Sequence, residues 1–505
     1  MANSIPRIRF ARTATVQRAK PGQLEEDALN LAVYLDLAPA PSWLDSGHTA
    51  WQLVAATLVG LMSVPGLAIL YSGLMKRKWA LNSALMIMYA FGATLLAWSF
   101  WAFKMSFGSP MTDALHIVGI PGTLLSPGDL QGQAVIPLLK GAIPDLKFPL
   151  SALGYFQFVF AAITVILLAG SILGRTSFKA WMVFVPVWIT VVYSVNAFSI
   201  WGGGWIGAFP SWLSGIGGSG ALDFSGGYVI HVAAGISGLV AAAVIGPRLL
   251  TDRENNRPSN LIAVITGAGL LWLGWNGFNG GDPYFAGADA SGAILNTNLA
   301  AATAMIVWML LDVFIVGRPT VGGMVNGMIA GLVGITPAAG FVNGYGAFAI
   351  GVAAGAVPFF TFNYLVKVKP FNRIDDTLGV FHTHLVAGAV GGLMVGLLAD
   401  PNVIVYPGTG KTAAVAAQGL FFGNPKQFVA QIIGLLFVLI WDGVLTFVIL
   451  KLISLVIPLR LTDRQLEVGD EAVHGDAAYE LMPVPPGTHP EHSVHAPSAP
   501  SPTSV

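Results

Sequence analysis

Residues 223–238 read DFSGGYVIHVAAGISG, and residues 376–391 read DTLGVFHTHLVAGAVG. Laid over each other at a spacing of 153 residues, both follow D-x2-G-x4-H-x2-A-G-x2-G. The first opens the fifth apolar run of the chain and the second opens the tenth. In a bilayer those two runs point in opposite directions, which is the mark of an inverted-topology repeat. Two five-helix halves then bring His231 and His384 to a shared pseudo-two-fold axis.

The surrounding composition requires a membrane. Of 505 residues, 54% are hydrophobic and 10% charged, with 61 Gly besides; soluble domains carry about 25% charged residues. Apolar runs of spanning length recur near 49–72, 80–103, 149–173, 180–200, 226–248, 260–279, 294–316, 322–340, 345–366, 378–399 and 427–457. The predicted fold is an all-α polytopic membrane protein of eleven transmembrane helices. Two five-helix inverted repeats are followed by a long eleventh helix, roughly 46 Å at 1.5 Å per residue. That exceeds the hydrocarbon core, so the helix should tilt or project. Gly323, Gly327 and Gly331, and again Gly388, Gly392 and Gly396, have the small-xxx-small spacing that lets helix backbones approach closely in lipid.

Alternate loops hold Lys76, Arg77, Lys78, Arg175, Lys179, Arg248, Arg253, Arg257, Arg318, Lys367, Lys369 and Arg373, whereas the opposite loops hold Lys104, Lys140, Lys147, Lys411 and Lys426. The positive-inside rule puts the first set in the cytoplasm, the N-terminus outside and the C-terminus inside. The expected domains are a leader-like basic N-terminal extension over 1–48, a first repeat over 49–258 and a second over 259–425. The eleventh helix follows over 426–460, and a cytoplasmic tail over 461–505 ends in a Pro-rich, disordered stretch.

The same counts exclude several functions. Net charge is zero, with 25 basic and 25 acidic residues, so there is no footprint for nucleic acid. Without cysteine there is no thiol nucleophile, disulfide or thiolate-held metal. His231, His382 and His384 do not complete a metal set, because no carboxylate clusters with them and residues at i and i+2 point about 200° apart on a helix. No enzyme activity, metal or cofactor is expected. Gly408-Thr-Gly410-Lys411-Thr412 lacks the earlier Gly of a phosphate loop.

A lone His in an apolar helix is ordinarily a packed core residue. A repeat-related pair is different, because ionisable groups inside a membrane tend to line substrate paths or proton relays. Asp223 and Asp376 stand where each repeated helix starts, so capping is their direct explanation, with cation recruitment as a second role. His382 reads as a residue of the cytoplasmic end of its helix, with an inner-vestibule role as the alternative.

DFSGGYVIHVAAGISG resembles the signature of the ammonium transporter / methylammonium permease / Rhesus family. WQLVAATLVGLMSVPGLAILYSGLMKRK at 51–78, SIWGGGW at 199–205, GWNGFNGG at 274–281 and DDTLGVFHTHLVAG at 375–388 follow the family in the same order. His382 beside His384, with GFNGGDPY, is similar to the methylammonium-permease-type branch. The resemblance implies a plasma-membrane homotrimer with one pore per subunit, carrying ammonium and in some members methylammonium. It implies an outer cation site at Trp201 and Phe160, with Phe156 and Gln157 beside them. Below that site it implies a stacked gate of Phe160 and Phe278 and a pore lined by His231 and His384. Asp282 stands where the family usually has a small hydroxyl residue. The tail around Gly469-Asp-Glu-Ala-Val-His474 resembles a segment that couples subunits and, in bacteria, meets a PII-type signalling protein. Electrogenic transport with proton relay, a passive ammonia channel, and an ammonium sensor acting through the tail all remain open at this level.

Overall fold

The computed structural model describes residues 41–112, 116–208, 211–217, 219–406, 408 and 413–479. The chain divides into two compact units, Met1–Leu44 and Asp45–Val505. Of the first, residues 41–44 are described and form a turn closed by the Leu44 N–H on the Pro41 carbonyl. The rest of the leader-like extension before residue 41, the Pro-rich end of the tail and Lys411 lie outside the described residues.

Among the described residues of the second unit, ten helices are long and apolar enough to cross a membrane, and a shorter apolar one brings the set to eleven. They are α1 Ser46–Leu74, α2 Arg77–Phe107, α3 Leu150–Ala169, α4 Phe178–Ile200, α5 Gly227–Ile245, α6 Leu261–Gly280, α7 Ala288–Val316, α8 Val321–Ile335, α9 Gly344–Lys367, α10 Phe381–Leu398 and α11 Pro425–Ser454. Each agrees with a run read from hydropathy. At 30 residues α11 is about 45 Å long, well beyond a hydrocarbon core of about 30 Å.

The clearest differences are at the ends of α3 and α8, which stop several residues before their apolar runs do. After α8 comes Pro337, which has no N–H to continue the ladder; after α3 comes Gly170, packed against Tyr71 and Val380. Both unwound ends leave carbonyls free, and the other half of the repeat uses them. Thr336 and Pro337 accept the N–H groups of Ser225 and Phe224 at 3.1 and 3.2 Å, while Gly170 and Ser171 accept those of Leu378 and Thr377 at 3.1 and 3.2 Å. Ser225 and Phe224 are the repeat mates of Leu378 and Thr377, so one joint is built twice with inverted direction.

The repeat also governs how α5 and α10 begin. Gly226 and Gly379 have φ of 115° and 74°, left-handed values that a side chain would strain. Each helix then starts in a wide π-type turn, Gly227–Val232 in α5 and Phe381–Val386 in α10. The helices cross where both carry Gly. A Cβ on Gly235 would lie 2.5 Å from Leu385 Cβ, and one on Gly388 would lie 2.7 Å from the Gly227 carbonyl oxygen. Only bare backbone allows this approach. Gly327 and Gly331 play the same part on α8, where a Cβ would come within 2.6 Å of Trp308 and Ala304 on α7.

The basic loops carry a buried ionic cluster. Arg248 donates to both oxygens of Asp375 through Nη2 and Nε at 2.8 and 2.9 Å, and its backbone N–H adds a third bond at 2.8 Å. Fully buried Arg175 donates to the Ser171 and Asp375 carbonyls and to Thr377 Oγ1. The tail folds onto the same face. Its helices α12 Asp463–Val468 and α13 Asp470–His474 bring Asp470 to the start of α2, where its carboxylate accepts the Leu81 and Asn82 N–H groups at 2.8 and 2.9 Å. Lys78 donates to the Leu466 carbonyl at 2.8 Å, and the His474 ring packs edge-on against Phe178.

Candidate functional site

The two repeated histidines meet. His231 and His384 are buried, their Nδ1 atoms 3.3 Å apart and their ring centroids 5.3 Å apart at an interplanar angle of 29°. One ring must donate and the other accept across that contact, so the two carry opposite tautomers. The outer nitrogens are then one acceptor and one donor, a pairing suited to a small neutral molecule that both donates and accepts. His231 Nε2 is buried with no hydrogen-bond partner among the described residues. It is a buried polar group left unpaired beside the Trp275 and Phe278 rings.

Above the pair stand aromatic rings from three elements. His231 stacks on Trp275 and Phe278 of α6, with centroids 5.4 and 6.0 Å away. Phe278 in turn stacks on Phe160 of α3 at 4.3 Å and 19°. Trp201, at the end of α4, meets Phe160 edge-on at 6.1 Å and is fixed by its indole N–H on the Asp223 carbonyl at 2.7 Å. Beyond the stack lies a cavity of about 50 Å³, lined by Trp201, Asp223, Asp282, Tyr284 and Tyr406 among others.

Asp223 lines this cavity but is fully engaged. One of its oxygens accepts the Gly226 and Gly227 N–H groups at 3.0 and 2.6 Å, and the other those of Tyr228 and Val229 at 2.9 and 3.0 Å. It is a cap that serves four backbone donors at the start of α5. Asp376 caps α10 more lightly, through the Phe381 N–H at 2.8 Å. Asp282 is buried, with Oδ2 2.5 Å from Ser225 Oγ.

Phe156 and Gln157 do not line the cavity. Phe156 backs Phe160 at 4.7 Å, and Gln157 donates to the Tyr284 hydroxyl at 3.0 Å, so both support the rings in front of them. His382 points elsewhere than His384, as its position two residues away requires, and packs edge-on against Phe362 and Phe381.

Four residues of the site escaped the sequence reading. Trp275 lies three residues before Phe278 and thus on the same helix face, a detectable signal. Ser225 interrupts the repeat, its mate being Leu378. Tyr284 follows GGDP and has the positive φ of 64°, unusual for a side-chain-bearing residue and a mark of local strain. Tyr406 comes from a short strand, Ile404–Tyr406, whose placement nothing local announces.

Residues 50–479 match the model of the Ammonium Transporter Family. "Ammonium transporter 3 member 3" of Oryza sativa subsp. japonica is 48% identical over 463 residues, covering 89% of this chain and 92% of that protein. "Ammonium transporter 2" of Arabidopsis thaliana is 48% identical over 450 residues, covering 88% and 90%. Among solved structures, Mep2 of Saccharomyces cerevisiae superposes with a TM-score of 0.72 at 31% identity, covering 84% of this chain and 90% of that one. With its eleven helices and its repeat, this multi-pass membrane chain belongs to the ammonium transporter family, a family of transporters and not of enzymes.

Proposed function

We propose that the protein takes up ammonium across the plasma membrane by stripping its proton, passing ammonia through the dry path beside His231 and His384, and relaying the proton inward. The basic loops face the cytoplasm and the cavity faces outward. There the face of the Trp201 ring attracts a cation by about 0.5–2 kcal/mol without a fixed charge. Potassium would be attracted too, so selectivity needs a later step. Moving a bare ion through apolar surroundings costs tens of kcal/mol by the idealised Born estimate. Ammonium escapes that cost by losing a proton, and potassium cannot.

The observation that carries this reading is the His231–His384 contact at 3.3 Å directly behind the Phe160–Phe278 stack. It offers ammonia a donor and an acceptor in a place no hydrated ion reaches, and two linked imidazoles suit proton transfer. The two repeats at 49–258 and 259–425 form the pore, the eleventh helix over 426–460 braces it, and the tail over 461–505 is the surface for a signalling partner such as a PII-type protein. Three such subunits assemble as a homotrimer, and methylammonium is a second cargo.

Uptake of ammonium into proteoliposomes, with potassium as the competing cation, tests the proposal. Saturable ammonium uptake that excess potassium does not share is expected. Absence of both flux and current would favour a sensor that binds ammonium and signals through its tail. Flux without current would favour a passive ammonia channel.

A further inference from the structure

Any such mechanism needs a group that takes the proton before ammonia enters the stack. Asp223 is the obvious carboxylate in the cavity, but both of its oxygens already accept two backbone N–H groups each. Protonating it would sacrifice part of that cap. Tyr284 has its hydroxyl bonded by Gln157, and the Trp201 N–H is spent on a carbonyl. Asp282 is differently placed. It follows Phe278 by four residues, in the turn just past the end of α6, and lines the cavity. Its Oδ2 meets Ser225 Oγ, and no backbone cap holds its carboxylate among the hydrogen bonds of the described residues.

Ser225 makes the difference. Its one hydroxyl proton has two acceptors in range, Asp282 Oδ2 at 2.5 Å and the Phe278 carbonyl oxygen at 2.8 Å. When Asp282 is ionised, Ser225 donates to it. When Asp282 carries a proton, the acid donates to Ser225 Oγ, and Ser225 turns its own hydrogen to the Phe278 carbonyl. Both protonation states are thus hydrogen-bonded without any backbone movement. The ionisable groups whose charge reaches this place are Asp223 and the hydroxyls of Tyr193, Tyr284 and Tyr406; the first is engaged by its four backbone donors, and neutral tyrosine hydroxyls are not bases at working pH.

We propose that Asp282 is the proton acceptor of the outer cavity, with Ser225 as the rotating hydroxyl that satisfies it in both states. This rests on the transport reading above. An N–H bond of ammonium breaks with its electron pair left on nitrogen, and an O–H bond forms on the Asp282 carboxylate. Neutral ammonia goes on past Phe160 and Phe278, and the acid is reset when its proton enters the inward relay that the transport reading assigns to His231 and His384.

The test compares wild type, Asp282→Asn and Ser225→Ala in proteoliposomes over a range of ammonium concentration and outer pH. Asp282→Asn should lose at least tenfold in maximal uptake at pH 6, with saturating ammonium unable to restore it. Raising the pH should recover the variant in proportion to free ammonia, about tenfold per pH unit, because ammonia arriving neutral needs no acceptor. A variant indistinguishable from wild type would overturn the proposal. So would one that merely needs more ammonium for the same maximal rate, since that describes cation attraction alone. Wild type without any flux would instead refute the transport reading.

An infrared difference spectrum carries the question even if Asp282→Asn fails to fold. Adding ammonium to wild type should raise the carbonyl band of a protonated carboxylic acid, and Ser225→Ala should shift that band. No such band in wild type, or a band unmoved in Ser225→Ala, would overturn the assignment.

Discussion

At the scale of single residues, the site is divided between groups that hold backbone and groups that face cargo. Asp223 belongs to the first kind, with four N–H groups on one carboxylate. Asp223→Ala should therefore cost more than an ordinary cap, about 2 kcal/mol or more, because several buried donors lose their partner together. Thermal unfolding in detergent measures this, and an unchanged midpoint would refute it. His231 and His384 were legible because a repeat is visible in one sequence: matching positions reveal that two distant residues are equivalent. Asp282 was legible only through the resemblance. Ser225 and Tyr406 were not legible, because their importance lies in contacts across the fold that no local pattern encodes.

At the scale of elements, hydropathy located all eleven spans, since lipid demands long apolar helices whatever their packing. What it overextended were the ends of α3 and α8, where apolar chain leaves the helix to lend carbonyls to its repeat partner. Composition does not distinguish an apolar residue in a helix from one in such a joint. The α5–α10 crossing is the element on which the His contact depends. Gly388→Val should wedge the helices apart, because even a Cβ there lies 2.7 Å from the Gly227 carbonyl oxygen and 3.1 Å from His231 Cβ. Overpacking of this kind costs about 1–3 kcal/mol. Uptake should fall by tenfold or more while the protein still inserts; full activity in the variant would show that the crossing does not govern the pair.

At the scale of the whole molecule, the basic face ties loops from both halves together. Burial opposes ionisation of Asp375, but the bonds and charge of Arg248, helped by Arg175, outweigh it and hold the carboxyl at about 2, below the ordinary 3.8. Since the folded value is depressed, the stability it contributes is present above about pH 4 and drains away as pH falls toward 2. Asp375→Asn should cost about 3 kcal/mol, the loss expected when one partner of a buried pair is removed. Its acid unfolding should also lose that limb of the pH profile; an unaltered profile would contradict the assignment. The docked tail makes a parallel case. Asp470→Ala removes the carboxylate from the first turn of α2, so residues 463–479 should become markedly more accessible to protease. Equal cleavage rates in variant and wild type would show that the cap does not hold the tail.

Transport past the histidine pair is the claim on which the rest depends, and ammonium-evoked current in proteoliposomes tests it most directly. Wild type should give a saturable current, reduced by about tenfold or more in His231→Ala and in His384→Ala, because each removes one end of the proton relay. A current that persists unchanged in either variant would contradict the pair's role.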